Sequence, residues 1–406
     1  MYNLLSGLSV IEASSFVASP TAGLYCAQMG ADVIRVDQIG GGPDFHRWPV
    51  TANNDSLYWE NLNRAKKSVA LDLGRPEGRE LLQELVRATG QFITNFPAGG
   101  FLAHERLAEG HPDLVSVRVM GWADGSPALD YTVNNSVGYP MLTGEGPEPV
   151  NHVLPAWDLL SGSYAAFALL AAIQRRSITG EGSEVRIPLS DVAIGTVANL
   201  GGIAETLYSG TNRPRLGNAV YGLFGRDFVT GDGQRTMIVV VTPRQWANLI
   251  AALNLGDAVA AIETERGVSF AKDDGLRFTH RDALYPLFEQ AIAARDHADL
   301  SAAFDAGGIV HSTYRTMLDA VQDPALVADN PIFGPILGNT PNPSGFDYPA
   351  AGSFATVPQM ERQAPRPAPH NGQHSEEILA TRLSLSSGEI ARLIDAGIVG
   401  ITQTGE

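Results

Sequence analysis

Residues 8–13 read Leu-Ser-Val-Ile-Glu-Ala and residues 31–37 read Ala-Asp-Val-Ile-Arg-Val-Asp, and these two stretches decide the fold. Each is a short apolar run rich in β-branched residues, which is typical of a buried strand. Between them lie a turn of small residues at 14–20 and an apolar helical pattern over 20–29. A strand, a helix and a second strand form a βαβ unit, so the two strands are predicted to be parallel.

The same alternation continues along the chain. Further strands are predicted at 67–73, 92–94, 114–119 and 185–187, and the longest helix is predicted at 159–176. Pro76 stands where the first turn of another helix begins, a position that proline favours. Strands that alternate with helices are typical of a parallel sheet covered on both faces. We therefore expect an α/β fold in which residues 1–195 form a doubly wound, Rossmann-like domain.

The pattern changes after residue 195. Residues 196–225 carry turn residues and are interpreted as a linker. Residues 226–330 combine β-rich runs with helical ones, which predicts a smaller α+β domain. Residues 331–406 begin with a stretch rich in Pro, Gly and Asn and end in helical patterns. We expect them to form a crossing linker and C-terminal helices that return to the large domain.

The composition excludes several classes of protein. The 406 residues include 28 Lys and Arg against 44 Asp and Glu, a net charge of −16, so neither nucleic acid nor an anionic membrane is expected as a partner. Cys26 is the single cysteine, which excludes an intrachain disulfide framework and disfavours a zinc site; no metal is expected. The N-terminus lacks the pattern of a signal peptide, and the apolar stretches fall short of the ~20 residues that span a bilayer. A cytoplasmic location is therefore expected.

Arg64, Lys66 and Lys67 form the densest basic cluster in this acidic chain. They stand just before a predicted strand, where a loop could present them to a phosphate group. The alternative is an ordinary solvated loop, because charged side chains are commonly just exposed. The residues by themselves leave both interpretations open.

Asp158 stands at the start of the longest predicted helix, in the segment Trp-Asp-Leu-Leu-Ser-Gly. One interpretation is a helix cap, because an aspartate there accepts hydrogen bonds from the first free N–H groups. The other is a nucleophile, because the helix dipole and the same amides would keep the carboxylate ionised. No Ser-His-Asp or Gly-x-Ser-x-Gly arrangement competes with it as a catalytic motif.

Several segments carry family motifs. They are Leu8–Glu12 with Gly30–Asp37, Leu62–Leu73 (Leu-Asn-Arg-Ala-Lys-Lys-Ser-Val-Ala-Leu-Asp-Leu), Thr94–Phe96, Asp158–Ala166 (Asp-Leu-Leu-Ser-Gly-Ser-Tyr-Ala-Ala), Thr179–Gly182 and Arg215–Asn218. Together these segments resemble the class III CoA-transferases, the family that contains carnitine CoA-transferase and formyl-CoA transferase. The resemblance extends from residue 7 to about residue 395, which is nearly the full length.

The resemblance implies a fold, an activity and a set of site residues. It implies the class III CoA-transferase fold and an interlocked homodimer in which each chain is threaded through the other. It implies that Asp158 is the catalytic nucleophile. CoA would arrive as part of an acyl-CoA substrate, with no metal or other cofactor. The residues expected to contact CoA are Arg64, Lys66, Lys67, Leu71, Asn95 and Phe96.

Other segments are uncommon in the wider family. They include Arg47–Val50, Phe92–Pro97, Asp130–Asn134, Val150–Asp158, Asn218–Phe228 and Asp329–Phe333. These segments resemble a branch that moves CoA between the two carboxyl groups of one molecule of mesaconate. That activity needs a clamp for a dianion, and Arg47 and Arg226 are the candidates because arginine binds carboxylates with two hydrogen bonds. His152 is a further candidate for substrate contact. Structural salt bridges, and simple packing for His152, are the alternatives.

Three other functions remain open from the sequence. One is transfer of CoA between two different acids, and one is binding of CoA without catalysis. The third is racemisation of a 2-methylacyl-CoA, for which related enzymes use a histidine in a Gly-His-Asp motif. The corresponding segment here is Asp130–Thr132, and a tyrosine there is a poor base near neutral pH because its usual pKa is about 10. The phenylalanine-arginine motif that usually follows Asn-Phe is also missing, since residues 96–100 read Phe-Pro-Ala-Gly-Gly.

Overall fold

The computed structural model describes residues 1–334 and 342–402. The strands are β1 (Ser9–Ala13), β2 (Asp32–Gln38), β3 (Lys67–Leu71), β4 (Gln91–Thr94), β5 (Val115–Met120), β6 (Ser183–Pro188), β7 (Phe224–Val229), β8 (Arg235–Val240), β9 (Val310–Thr313), β10 (Phe333–Gly334), β11 (Ala350–Ala351) and β12 (Val399–Gly400).

The helices follow the same chain order. They are α1 (Ala18–Gln28), α2 (Leu57–Asn63), α3 (Pro76–Thr89), α4 (His104–Leu107), α5 (Asp130–Ser136), α6 (Tyr139–Leu142), α7 (Ala156–Thr179), α8 (Leu189–Asn199), α9 (Gly202–Ser209), α10 (Pro243–Ala252), α11 (Gly256–Arg266), α12 (Asp274–Thr279), α13 (Arg281–Ala293), α14 (His297–Gly307), α15 (Met317–Gln322), α16 (Ser375–Leu383) and α17 (Ser387–Asp395).

The main sheet has the strand order β12-β3-β2-β1-β4-β5-β6. From β3 to β6 every neighbouring pair is parallel, and only β12 runs antiparallel, with Val399 opposite Leu71. The predicted βαβ unit is confirmed, because β1 and β2 pair in parallel from Ser9–Asp32 onward. The order β3-β2-β1-β4-β5-β6 is that of dinucleotide-binding Rossmann folds, in which the chain direction across the sheet reverses between β1 and β4.

Apolar residues on both faces of the strands explain why the sheet is covered twice. Val10 and Val33 pack in a core cluster with residues of α1 and α7. Their neighbours Ile11 and Ile34 belong to a second cluster with residues of α3, α16 and α17. Because successive side chains of a strand point to opposite faces, two adjacent apolar residues place a strand in the middle of a helix–sheet–helix sandwich.

The longest helix, α7, is six residues longer than its predicted core of 159–176, and it ends at Gly180, which has a φ of +74°. It has 24 residues and is long and apolar enough, by length and composition alone, to cross a membrane. The expectation that every apolar stretch is too short for that is therefore wrong for this helix. Core helices of soluble proteins can be equally long and apolar. In α7, Ala165 and Leu169 are completely buried against the sheet.

A buried cluster of charges lies where β1 and β2 end. Arg35 is fully buried and forms ion pairs with Asp37 at 2.8 Å, Asp44 at 3.1 Å and Glu12 at 3.4 Å. Lys66, also fully buried, pairs with Glu12 at 2.8 Å. A buried charge is tolerated only when it is paired and hydrogen-bonded, so these contacts fix β1, β2 and the chain before β3 against one another.

The chain divides into two units. Unit 1 comprises residues 1–138, 151–210 and 324–406, within the described ranges, and unit 2 comprises residues 139–150 and 211–323. In unit 2, β7, β8 and β9 form an antiparallel sheet whose core includes Phe224, Trp246 and Phe288.

The excursion of residues 139–150 belongs to unit 2 although both of its flanks lie in unit 1. Arg215 holds it by donating hydrogen bonds to backbone carbonyls, including that of Met141 at 2.8 Å. Residues 196–225, interpreted above as a linker, comprise the end of α8 and all of α9 in unit 1 and a stretch from residue 211 in unit 2. The expected crossing linker and C-terminal helices, 331–406, lie partly outside the described residues; their described part is in unit 1 and includes α16 and α17.

The buried charge cluster predicts a large effect of one substitution. Arg35→Leu should lower the free energy of unfolding by about 3–5 kcal/mol, because it leaves buried carboxylates without their counter-charge. Arg175→Leu is the matched control: its partner Glu181 lies at 2.8 Å, but both side chains are exposed, so the loss should stay below about 1 kcal/mol. Urea unfolding followed by circular dichroism measures both, and equal losses would contradict the role given to Arg35.

Candidate active site

The loops that follow β1 and β4 meet at the carboxyl edge of the main sheet, where the strand order reverses. Asn95, directly after β4, joins them: its amide oxygen accepts from the Ser15 backbone N–H at 3.1 Å, and its amide nitrogen donates to the Ser15 carbonyl at 2.8 Å. In open α/β sheets the crevice at this reversal of strand order is the usual ligand site. The geometry therefore points to this edge.

Arg47 is placed by the loop that follows β2. Asp44 anchors the loop, because its carboxylate pairs with Arg35 and accepts from the Phe16 N–H at 3.2 Å. The Ser56 hydroxyl, which also caps α2, donates to the Arg47 carbonyl at 2.5 Å. The guanidinium lies over the rings of Tyr58, 4.9 Å from its centroid, and Phe16, 5.6 Å away. Within residues 1–334 and 342–402 no carboxylate is ion-paired with it, so it is available to an anionic ligand.

Asp158 is the third residue of α7, and Pro155 occupies the cap position. The interpretation of Asp158 as the helix cap is therefore wrong. The first amides of α7 are instead bound by Asp130, whose Oδ2 accepts from the N–H of Trp157 at 2.6 Å and of Asp158 at 3.1 Å. The Asp158 carboxylate makes no hydrogen bond or ion pair with any other part of the chain that the structure describes.

A second set of contacts joins α5 to the chain just before α7. His152 Nε2 lies 2.5 Å from Asp130 Oδ1. The Trp157 indole donates to the Asn134 side chain at 3.0 Å, and Asn134 in turn donates to Asn151 at 2.6 Å. These bonds fix the start of α7, and with it Asp158, against α5. Contact of His152 with substrate stays a prediction.

The charge on Asp158 differs from the expectation of a carboxylate kept ionised by the helix. Burial first and the nearby charge of Asp130 second, opposed by Arg47, together raise the pKa of Asp158 to about 7. The main physical reason is that burial disfavours the charged form, and the helix amides that could stabilise the anion are occupied by Asp130. A carboxyl that titrates near neutral pH is a common feature of catalytic groups.

Two residues of the site were missed from the sequence. One is Asp130, which lies in a quoted segment but was given no role. The other is Tyr58, whose hydroxyl is buried and whose pKa is raised to about 12, chiefly by burial. Arg47 lowers the pKa of Tyr58, and the charge of Asp158 raises it. Tyr58, Arg47 and Asp158 are therefore electrostatic neighbours.

Arg64 and Lys66 lie in the short loop between α2 and β3, as expected, but their side chains are buried there. Lys66 is buried; besides its ion pair with Glu12 it donates to the Pro20 carbonyl and to Asn63, both at 2.9 Å. Burial lowers the pKa of its ammonium group to about 8. Arg64 is also buried and donates to the Ala351 carbonyl at 2.8 Å. Both side chains are thus bonded to partners within the chain, and contact of Arg64 and Lys66 with CoA stays a prediction.

The other residues expected to contact CoA are spread over unit 1. Lys67 is half-exposed, pairs with Glu377 at 2.8 Å and Asp32 at 3.5 Å, and lines a cavity of about 690 Å³. Leu71 is buried at the end of β3. Asn95 and the half-buried Phe96 lie at the carboxyl edge of the sheet, just after β4. Contact of these four residues with CoA stays a prediction.

Arg226 belongs to β7 in unit 2. Its Nη1 lies 2.8 Å from Glu289, and its guanidinium lies 5.0 Å from the ring centroid of Tyr285. The alternative of a structural salt bridge thus describes its contacts within the chain, and its role toward a substrate stays a prediction. No group of three or more His, Cys, Asp or Glu side chains within residues 1–334 and 342–402 is placed to hold a metal ion.

The sequence and the fold of this chain resemble those of known proteins. The profile of CoA-transferase family III matches residues 5–375. The chain is 44% identical over 410 residues to 2-methylfumaryl-CoA isomerase of Chloroflexus aurantiacus, with 98% of each chain covered. It is 28% identical to succinate–glutarate CoA-transferase of Agrobacterium fabrum, over 93% of this chain and 95% of that one. A crystal structure of a CAIB/BAIF family protein from Brucella suis superposes with a TM-score of 0.77 at 25% identity, over 94% of this chain and all of that one.

The raised pKa of Asp158 predicts a pH-dependent gain in stability when the charge is removed. Between the ordinary value of 3.8 and about 7, the folded protein binds a proton that the unfolded chain releases. The favourable contribution of this carboxyl is therefore complete below pH 3.8 and is lost as the pH rises through about 7. Asp158→Asn should stabilise the protein more at pH 8 than at pH 5, by on the order of 1–3 kcal/mol.

Urea unfolding at the two pH values measures the difference. Asp124→Asn is the matched control, because Asp124 is exposed and hydrogen bonds from Ser126 lower its pKa; it should show no such gain. The assignment is contradicted if Asp158→Asn changes stability equally at pH 5 and pH 8.

Proposed function

Because this chain belongs to CoA-transferase family III, we propose that it moves CoA between the two carboxyl groups of one mesaconate molecule, converting 2-methylfumaryl-CoA into 3-methylfumaryl-CoA. The observation that carries the proposal is the 44% identity to 2-methylfumaryl-CoA isomerase over 98% of both chains. The geometry is compatible with it, since a carboxyl that titrates near neutral pH and an arginine without an ion pair are electrostatic neighbours at the carboxyl edge.

The first half of the reaction transfers CoA to the protein. The ionised Asp158 carboxylate attacks the thioester carbonyl of 2-methylfumaryl-CoA, and the carbon–sulfur bond breaks, so that a mixed anhydride and CoA thiolate form. The thiolate attacks the aspartyl carbonyl of the anhydride and expels mesaconate as a dianion. The product on the protein is an aspartyl-CoA thioester. Splitting one difficult exchange into such steps is the usual benefit of covalent catalysis.

The second half reverses these steps with the other carboxylate. The distal carboxylate of mesaconate attacks the aspartyl thioester and releases the thiolate, which attacks the mesaconyl carbonyl of the new anhydride. This step yields 3-methylfumaryl-CoA and restores the Asp158 carboxylate, with no net uptake of protons. Arg47 is the proposed clamp for the mesaconate carboxylates, and Arg226 is a second candidate. Backbone N–H groups at the sheet edge would stabilise each oxyanion.

We also propose that the chain forms a homodimer, which in this family is expected to be interlocked. Unit 1 carries large apolar side chains on its surface: Tyr164 and Phe167 of α7 and Leu207 of α9 are more than half exposed. Such patches usually mark an interface with another protein molecule. Light scattering coupled to size-exclusion chromatography measures the mass. A cytoplasmic location, and the absence of nucleic acid, membrane and cofactor partners, stay predictions.

The proposed nucleophile can be tested by substitution. Asp158→Asn should lower kcat by at least about three orders of magnitude, because the amide cannot form the anhydride. Isomerisation of 2-methylfumaryl-CoA alone is followed by chromatography of the two regioisomers. Asp191→Asn is a control, since Asp191 lies in the first turn of α8 and is no part of the proposed chemistry. Near-normal turnover by a folded Asp158→Asn protein would contradict the mechanism.

Intramolecular transfer can be distinguished from exchange between two acids. When ¹³C-labelled free mesaconate is added, the label should enter the product at less than about one-tenth of the rate of isomerisation, because the leaving acid is retained at a high effective concentration. Mass spectrometry of the CoA esters measures both rates. Arg47→Met should raise the labelled fraction by weakening the clamp. If the native protein incorporates label as fast as it isomerises, the chain is an intermolecular CoA-transferase.

A further inference from the structure

Asp130 joins three segments of unit 1 through one carboxylate. The residue is 1% exposed and is the first residue of α5. Its Oδ2 accepts from the amides of Trp157 and Asp158 in the first turn of α7, and its Oδ1 contacts the His152 ring on the preceding loop. Both oxygens are therefore bonded, and the bonds converge on the chain immediately before the nucleophile.

The hydrogen bonds of Asp130 determine whether the Asp158 carboxylate can bind the first amides of α7. An acidic side chain in the first turn of a helix is normally drawn to the free amides there and is stabilised by them. Asp130 already occupies the amides of residues 157 and 158. The Asp158 carboxylate therefore cannot bind these amides. The nearby negative charge of Asp130 destabilises its ionised form. A more basic carboxylate forms a bond to a carbonyl carbon more readily.

His152 completes the arrangement. Its side chain is 24% exposed, whereas that of Asp130 is 1% exposed, so the imidazole lies between the buried carboxylate and solvent. A ring N–H directed at Oδ1 supplies the hydrogen bond that this buried anion requires. The ring also contacts Tyr131 edge-on, at 5.7 Å between centroids, which fixes its orientation.

Other charged and titratable groups face the same region. Arg47 opposes the effect of Asp130 on Asp158, and Tyr58 is coupled to both Arg47 and Asp158. The elements packed against α7 and α5 also carry titratable groups: Tyr25 and Cys26 on α1, Arg118 on β5, Glu184 and Arg186 on β6, and Asp191 on α8. Arg118 and Arg186 are each paired with Glu184, and Cys26 is buried. Asp130 is thus the neighbour that adds a negative charge beside Asp158.

We infer that Asp130, with His152 as its hydrogen-bond donor, is the positioning residue of the nucleophile: it binds the first amides of α7 so that the Asp158 carboxylate stays free of them. The inference rests on the proposed function for its consequence in catalysis. Asp130 contacts the backbone of the nucleophile and need not touch substrate. Its loss should therefore alter kcat and the pH profile more than KM.

The direct test is the titration of Asp158 without substrate. Protein labelled with ¹³C at aspartate side-chain carboxyls is titrated by NMR, and the Asp158 resonance is identified by its absence in Asp158→Asn. Asp130→Asn keeps an oxygen acceptor but removes the charge, so the midpoint of Asp158 should fall by about one pH unit or more. Asp124→Asn, in the same β5–α5 connection but exposed, should leave the midpoint unchanged. An unchanged midpoint in Asp130→Asn overturns the inference.

The kinetic test uses the same variants. In Asp130→Asn, kcat at pH 8 should fall roughly tenfold while KM changes less than about threefold, and the acidic limb of the profile should move to lower pH. His152→Gln keeps an N–H donor and should retain most activity, whereas His152→Ala should lose it to about the extent of Asp130→Asn. If His152→Ala matches the native protein in kcat and in pH profile, His152 has no part in positioning.

The two readouts separate this inference from the proposed function. A native protein that does not isomerise 2-methylfumaryl-CoA refutes the function, and the NMR midpoint still decides the role of Asp130. If the native protein isomerises the substrate but the titration midpoint of Asp158 is unchanged in Asp130→Asn, only the inference is refuted. Thermal unfolding of each variant identifies any loss of activity that follows from loss of folding.

Discussion

The buried guanidinium of Arg35 is the interaction on which the carboxyl edge of the sheet depends. It pairs with Glu12 at the end of β1, with Asp37 in β2 and with Asp44 in the loop beyond. The Asp44 carboxylate also accepts a hydrogen bond from the Phe16 backbone N–H. Arg47 lies three residues after Asp44 in the chain. Charges buried in this way are costly unless every partner is in place, so the loops that carry the site have little freedom to drift.

The Asp130 carboxylate determines the hydrogen bonding and the charge around the Asp158 carboxylate. The Asp130 carboxylate is held by hydrogen bonds, whereas the Asp158 carboxylate has none within the described residues and has a pKa raised to about 7. The two acidic groups lie close together but serve different purposes because their hydrogen-bond environments differ. Asp130 of α5 thus makes the hydrogen bonds that a capping residue of α7 would normally make. Asp158, in the first turn of α7, is left reactive.

The sequence predicted the sheet well because its signal is local. Adjacent apolar residues such as Val10 and Ile11 report burial on both faces, and strands separated by one helix must be parallel. Asp158 was singled out by its place at the start of the longest helix, and its family motif favours the role of nucleophile, which stays a prediction. The role of Asp130 was missed because its bonds to α7 join residues 28 positions apart, and no local pattern encodes them. Lys66 was misinterpreted for the same reason, since its partner Glu12 lies far away in the chain and a run of basic residues normally indicates exposure.

The pairing of β12 with β3 has a consequence for synthesis on the ribosome. Val399 lies opposite Leu71, so the β3 edge of the main sheet stays uncovered until residues 399 and 400 have emerged. At bacterial and eukaryotic elongation rates of about 5–20 residues per second, that interval lasts tens of seconds. Unit 2, whose sheet lies entirely between residues 224 and 313, is complete well before then. The β3 edge of a nascent chain is therefore open to strand-edge association during most of translation, and a ribosome-associated chaperone would have that interval in which to act.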